Sequence, residues 1–560
     1  MSWTTAWSLE SHPRGTARVF RADRTQVAVF HLDDGSFYAV DNRCPHEGYP
    51  LQQGLVKGTT LTCAWHNFKF DLGSGACLMG EEAVRTFPVR VVDGAVELDV
   101  RPVERSADLP RLFSSLEEAL RERRQGQLAR DVVRLLDAGV APSAIAARGA
   151  AFDCDHGDLG PSHALAVLAD VLAWTSERPG LEAALPLAQA LDMASEPNVR
   201  RLPRTRPAPV ATTPGFAHEL KRSVEDEEAA RAEGLVRGAL ASGLPRAELE
   251  RALYACVAEH FLDFGHALIY QNKAFELLEK CQWEHADAIL GGHVFGIVNG
   301  TREDALPAWA GFRRRLAAVD LAALEGRPRA GVMAIDALTE GRPGEVLERV
   351  LASDAPLDQI LAALTEAAAR HFLSFDVAID LRVDVQDDWL DVTHRLTFVD
   401  AVRTAMGRWD APERWRLVLQ AAWFVANAAP LDGPPPTIPH ADADTHTDSE
   451  GLTAALVRRD APFVLGVAAR WLAGGRVGDL RRVFMDVCLA DLVVRPIVVV
   501  HLMKTTLAAF TAHAVTGSPT AVLALGRWLA SPVRERRVGR RVHEAIRLVR
   551  DGKPPERLSE

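Results

Sequence analysis

At 560 residues the chain is longer than a single hydrophobic core usually serves, so about two to four domains are expected. Its 48% apolar and 25% charged residues are those of an ordinary water-soluble globular protein. A net charge of −11 and a pI near 5.9 argue against nucleic acid or an anionic membrane as the main partner. The first residues, MSWTTAWSLESHPRG, lack an apolar core of signal-peptide length. The most apolar later run, Leu492–Phe510, is interrupted by Arg495, Pro496, His501 and Lys504 and makes a poor membrane span. A reducing cytoplasm is the expected compartment.

Residues 1 to about 103 read as short strands rich in Val, Phe and Thr: Ala17–Arg21, Gln26–Leu32, Phe37–Asp41, Thr60–Ala64 and Ala95–Val100. Turn signals separate them at Asp33-Asp34-Gly35, Lys57-Gly58 and Asp93-Gly94. This small all-β module carries Cys44-Pro45-His46-Glu47-Gly48 and, after residues 47–62, Cys63-Ala64-Trp65-His66. Two thiolates and two imidazoles in the pattern C-x-H…C-x-x-H suit a [2Fe–2S] cluster, with Cys44 and Cys63 on one iron and His46 and His66 on the other. A zinc site from the same four ligands, or a module of this shape without metal, are the alternatives. The glycines after each pair and the Trp65–Phe70 segment favour the cluster. Cys77, Cys154, Cys256, Cys281 and Cys488 are scattered and form no disulfide framework.

The stretch Cys44–Cys77 resembles the Rieske domains of bacterial ring-hydroxylating oxygenases and their ferredoxins, including the Trp65–Asp71 segment. High-potential respiratory Rieske proteins carry two further cysteines, at the positions held here by Tyr49 and Trp65. The resemblance therefore implies the low-potential kind, which feeds electrons to oxygen-activating centres.

From about residue 110 the apolar period changes to i, i+3, i+4, i+7, over Leu116–Ala129, Val132–Ala147, Ala164–Trp174, Val224–Ala241, Glu248–Lys280, Pro356–Phe375 and Leu456–Leu472. The expected architecture is multidomain: an all-β module over 1–103, then a large all-α region over 104–560. Proline-rich breaks fall near 201–214 and 429–449, the second a disordered segment or a lid over a site. Glu259–Phe264 is echoed by Arg370–Phe375, which points to an internal helical repeat.

An electron carrier fused to a large domain implies an acceptor there, and a non-haem iron able to reduce oxygen is the natural one. The α/β domain that usually accompanies a Rieske module is not legible, so the acceptor must be built on helices. Four histidine contexts stand out: Asp155-His156-Gly157, Gly265-His266-Ala267, Thr393-His394-Arg395 and Val500-His501-Leu502. Lys504 follows His501 at i+3 on the same face of a very apolar helix, where an ammonium is costly. Its neutral amine could take up CO₂ as a carbamate, an oxygen ligand for a hard metal. His163 is a reserve ligand. His260, His285, His293, His371 and His513 read as packed or surface residues, and Asp155, Asp263 and Asp376 as capping acids with a bridging or proton-relay role as the alternative.

These contexts are similar to those of the questin oxidase-like family, helical non-haem iron enzymes acting on polycyclic aromatic polyketides. The resemblance spans roughly 130–515 and implies an iron held by His156, His266, His394, His501 and a carboxylated Lys504. Asp155 stands where the family has Asn, and Lys273 where relatives tend to have another histidine. The family does not generally carry a Rieske domain.

The sequence thus reads as an oxygenase passing electrons from a [2Fe–2S] cluster to a mononuclear iron, with O₂ and a small organic substrate as partners. No G-x-G-x-x-G follows a predicted strand, so an external NAD(P)H-dependent reductase or ferredoxin reductase is implied. The rival readings are an electron-transfer or redox-sensing protein with a metal-free helical interaction module, and a di-iron carboxylate oxidase. The latter needs Glu-x-x-His pairs on two helices, and no duplicate pair is found. Catalytic acids and bases, the substrate and self-association are left open.

Overall fold

The computed structural model describes residues 3–22, 25–80, 82–101, 108–439, 447–535 and 537–559. The expected boundary at 103/104 and residues 440–446 of the second proline-rich break lie outside the described residues. The chain forms two compact units. The first is Met1–Ala119 with Arg124–Gly139, and the second is Leu120–Arg123 with Val140–Glu560. The helix Gln125–Asp137 therefore belongs with the β module.

Among the described residues the first unit contains ten short strands: β1 Thr4–Ser8, β2 Thr16–Ala22, β3 Thr25–His31, β4 Phe37–Asp41, β5 Leu55–Lys57, β6 Thr60–Thr62, β7 Lys69–Asp71, β8 Cys77–Met79, β9 Val89–Val92 and β10 Ala95–Leu98. They build three antiparallel sheets in the orders β1-β10-β9, β2-β3-β4 and β5-β6-β7-β8. Alternation puts Leu61 and Phe70 inward, where they pack with Leu51, Leu72, Val84 and the two cluster cysteines. The strands β1, β5, β7, β8 and β9 escaped the sequence pattern; the last four have only three or four residues each, too few to show a period.

The second unit is helical, as the 3.6-residue period predicts. Helix ends differ from the expected ones where the chain reverses locally. The run Glu248–Lys280 is two helices, Arg246–Val257 and His266–Lys280, because Asp263, Phe264 and Gly265 all take positive φ between them. Residues 201–213 form no regular element. Arg204 and Arg206 pin that segment to Glu233 and Asp155.

Four helices occupy the centre of this unit: His163–Ser176, His266–Lys280, Trp389–Arg408 and Pro496–Thr516. Each packs against the next in that order, and the fourth packs back on the first, so they close a ring. A preceding and a following helix back each one. The echoed segments do not fall on equivalent elements: Glu259–Phe264 is the turn after the helix Arg246–Val257, whereas Arg370–Ser374 ends the helix Leu357–Ser374. Leu262 bridges Arg302 and Phe375 bridges Asp432, each joining the entry to an inner helix with the exit from the helix behind it. Pro496–Thr516 is long and apolar enough to cross a membrane by length and composition, but its residues are largely buried among neighbouring helices.

Candidate metal centres

The first centre is made by two loops of similar form. Cys44 follows β4 and Cys63 follows β6. In one loop the Cys44 amide donates to the Tyr49 carbonyl and Gly48 donates back to Cys44 (2.9 and 2.7 Å). In the other, Cys63 donates to the Phe68 carbonyl and Asn67 donates back to Cys63 (2.8 and 3.1 Å). Both returning residues have positive φ, +75° at Gly48 and +60° at Asn67, which glycine and asparagine tolerate best.

These loops bury both thiols and leave the imidazoles at the edge. The Nδ1 atoms of His46 and His66 lie 3.2 Å apart, so both rings present the same nitrogen to one point. His46 stacks on Phe68, and His66 on Trp65, which is 56% exposed. Burial, with Cys63 beside it, pushes the Cys44 thiol up to about 11; bound metal offsets this by stabilising the thiolate directly. Two buried thiols and two converging Nδ1 atoms are the donor set a [2Fe–2S] cluster requires.

The matching family is described as the Rieske [2Fe-2S] domain, over residues 2–90. A 3-phenylpropionate/cinnamic acid dioxygenase ferredoxin subunit from Photorhabdus laumondii is 35% identical over 104 residues, which are 18% of this chain and 96% of that protein. The chain belongs to the Rieske [2Fe-2S] domain family. Its Rieske domain is of the ring-hydroxylating dioxygenase ferredoxin type. A 4beta-methylsterol monooxygenase from Methylococcus capsulatus is 36% identical over 97 residues, covering 15% of this chain and 26% of that protein. The ferredoxin of carbazole 1,9a-dioxygenase from Nocardioides aromaticivorans is 25% identical, with 18% of this chain and all of that one covered and a TM-score of 0.17.

The second centre lies in the helical ring. Each inner helix contributes one histidine: His163, His266, His394 and His501. The first two are the first residues of their helices, after Ser162 and Gly265; the other two lie five residues into theirs. Nε2 of His394 is 2.7 Å from Nε2 of His266, 3.3 Å from Nε2 of His501 and 3.4 Å from Nζ of Lys504. The His163 ring is 4.5 Å from that of His266 and 4.7 Å from that of His501. Its Nε2 is buried without a hydrogen-bond partner.

Local hydrogen bonds choose the tautomers. His394 donates Nδ1–H to the Leu390 carbonyl (2.5 Å), and His501 donates to Ile497 (2.6 Å), each one turn back. That leaves both Nε2 lone pairs facing the centre, as metal ligation needs. Burial pushes all four histidines down, with the cationic neighbour Lys504 adding to it; His266 is pushed to about 3. Burial also pulls Lys504 down to about 7, with Asp170 working against it. Ring nitrogens of neutral imidazoles 2.7 and 3.3 Å from one another are what a metal with bonds of about 2.0–2.1 Å would gather.

Of the expected ligands, the structure brings together His266, His394, His501 and Lys504, and places His156 elsewhere. His156 ends its helix, donates Nδ1–H to the Phe152 carbonyl and stacks on the Phe152 ring. Its place is taken by the reserve residue, His163. Gly157, Gly160 and Pro161 break the chain between the two, so they do not share a helical face. Lys273 does not join the histidines; it pairs with Asp170 and Glu276. Asp155 pairs with Arg206, Asp263 accepts from the Thr301 amide, and Asp376 caps Ala378. His260 is held between Asp304 and Glu225, and His371 bonds Asp432.

A cavity of about 760 Å³ runs on from this centre. Asp170, Lys273, Ala401 and Ala508 all line it, and each lies seven residues after its helix's histidine. Ile269, Thr397 and Lys504, three residues after theirs, form its floor. The four inner helices therefore run the same way, and the cavity lies one to two turns beyond the histidines, with Lys504 common to both.

Proposed function

We propose that the protein is an oxygenase in which the Rieske domain supplies electrons, one at a time, to a mononuclear non-haem iron held by His163, His266, His394, His501 and Lys504. The observation that carries this reading is the convergence of four neutral imidazoles and one buried lysine, the lysine also lining a cavity large enough for a small organic molecule. The similarity to Rieske regions of a monooxygenase and of dioxygenase ferredoxins supports an oxygen-activating system. Such an iron, when bound, would supply reductive activation of O₂. The chain's own residues do the rest. The ring of helices fixes the imidazoles, the Leu390 and Ile497 carbonyls fix their tautomers, and Lys504 closes the floor as amine or carbamate. Ile269, Ala401 and Ala508 give the substrate an apolar face, and Thr397, Asp170 and Lys273 give it a polar one. Electrons would enter from an external NAD(P)H-dependent reductase. An aromatic substrate is the class implied by the family resemblance.

Iron analysis with EPR on protein purified without oxygen tests the proposal. One iron beyond the two of the cluster supports it. Cluster iron alone would make the helical unit a metal-free partner of an electron carrier, and two further irons would make it a di-iron enzyme.

A further inference from the structure

The helix Gln125–Asp137 touches the first ligand loop through one side chain. Arg130 donates from Nη1 to the carbonyl oxygen of His46 at 2.8 Å. The same guanidinium meets the Glu82 carboxylate at 3.3 Å, and Arg134, one turn on, meets it at 2.9 Å. Glu82 is almost wholly buried, with 6% of its side chain exposed. This helix lies outside residues 2–90 that match the family, so the contact is an addition to the common domain.

We propose that Arg130 and Glu82 form a charged strut that fixes the His46 loop and sets the reduction potential of the cluster. Reduction adds one electron, delivered by the reductase, and makes the ligand site one unit more negative. A fixed cation on a ligand residue's carbonyl favours that state, and a fixed anion opposes it; charge and hydrogen bonding around the cluster are known levers on its potential. Burial of Glu82 keeps water from screening the pair. Among the described residues, Asp131 pairs with Arg134 at 2.9 Å, and Glu47 is exposed and 3.9 Å from His46 Nε2. Arg130 is the one that bonds the ligand residue itself. It acts through His46 and is a positioning residue, not a ligand.

The test is an EPR-monitored redox titration of the full-length holoprotein. Arg130→Gln should weaken electron affinity about tenfold, a fall of about 59 mV for a one-electron couple. Glu82→Gln should shift the potential upward, and Arg130→Lys should stay near the wild type. All three should keep the Rieske g-values. A general structural disturbance would move the two neutralising variants the same way. That result, or no movement in either, overturns the proposal. If Arg130→Gln does not retain its cluster, Glu82→Gln decides alone: a rise supports the strut, and a fall or no change overturns it.

Discussion

The Nε2 atoms of His266 and His394 lie 2.7 Å apart, although His394 has already spent its one ring proton on the Leu390 carbonyl. Its Nε2 lone pair therefore faces three nitrogens at once, those of His266, His501 and Lys504. One of them could donate to it. A metal ion satisfies all of them together, along with the partnerless Nε2 of His163.

From this we expect His163→Ala and His501→Ala each to lose the iron beyond the cluster, while His156→Ala keeps it. The Rieske EPR signal should be intact in all three. Iron per chain, measured against that signal, checks it. Retention of iron in His163→Ala, with loss in His156→Ala, would return the ligand set to the one read from sequence.

Lys504 offers a second check. Held near 7 by burial, a large share of its side chain is neutral amine at physiological pH and can add CO₂. Iron occupancy on reconstitution should rise with added bicarbonate in the wild type and not in Lys504→Met. Equal occupancy with and without bicarbonate would leave Lys504 as an amine.

At the cluster, His66→Cys should move the EPR spectrum toward the all-cysteine type or abolish assembly, because its Nδ1 shares a focus with that of His46. An unaltered Rieske spectrum would remove His66 from the ligand set.

The two centres were unequally legible. Cys44, His46, Cys63 and His66 lie within one short stretch of chain, residues 44–66, so spacing alone defines them. The helical site draws one residue from each of four distant helices, and only local context marks them. His156 has the stronger local context, yet Gly157, Gly160 and Pro161 turn the chain before His163. A signal for His163 was present. Ser162 caps a helix whose first residue is histidine, just as Gly265 precedes His266. The cavity was invisible because it depends on four helices sharing a direction. Once they do, the i+7 positions of all four become its wall.

Asp153 connects helix capping to the site and carries a pH signature. Its carboxylate accepts from the Ser162 amide (2.8 Å) and hydroxyl (2.7 Å) and from Asn198, fixing the start of the His163 helix. Burial raises its pKa to about 6 against 3.8 for the exposed group. The folded state then binds this proton more tightly than the unfolded state, so the contribution is fully present below about 3.8 and is lost as pH rises through 6. The stability advantage of wild type over Asp153→Asn should grow by roughly 3 kcal/mol as pH falls from 6.5 to 3.5. Urea denaturation across that range measures it, and a pH-independent difference would mean that the buried carboxyl does not titrate as described.

Gly265 sets the position of His266, and its backbone explains why no other residue serves. It has φ +85°, where a side chain is strained, and an added Cβ would lie 2.2 Å from Cδ2 of Phe398 on the neighbouring inner helix. Gly265→Ala must therefore push the two helices apart or rotate the His266 turn. The left-handed conformation costs about 1–2 kcal/mol for an L-residue, and overpacking about 1–3 kcal/mol more. We expect Gly265→Ala to destabilise the helical unit by more than about 2 kcal/mol and to lower iron occupancy. Adding Phe398→Ala should relieve the clash but not the strain. The double variant should then fall short of the summed costs, since the two changes share one contact. Denaturation with metal analysis on the two single variants and the double one separates these effects. Additive losses would show that Phe398 does not press on Gly265, and that His266 is placed by something other than this close approach.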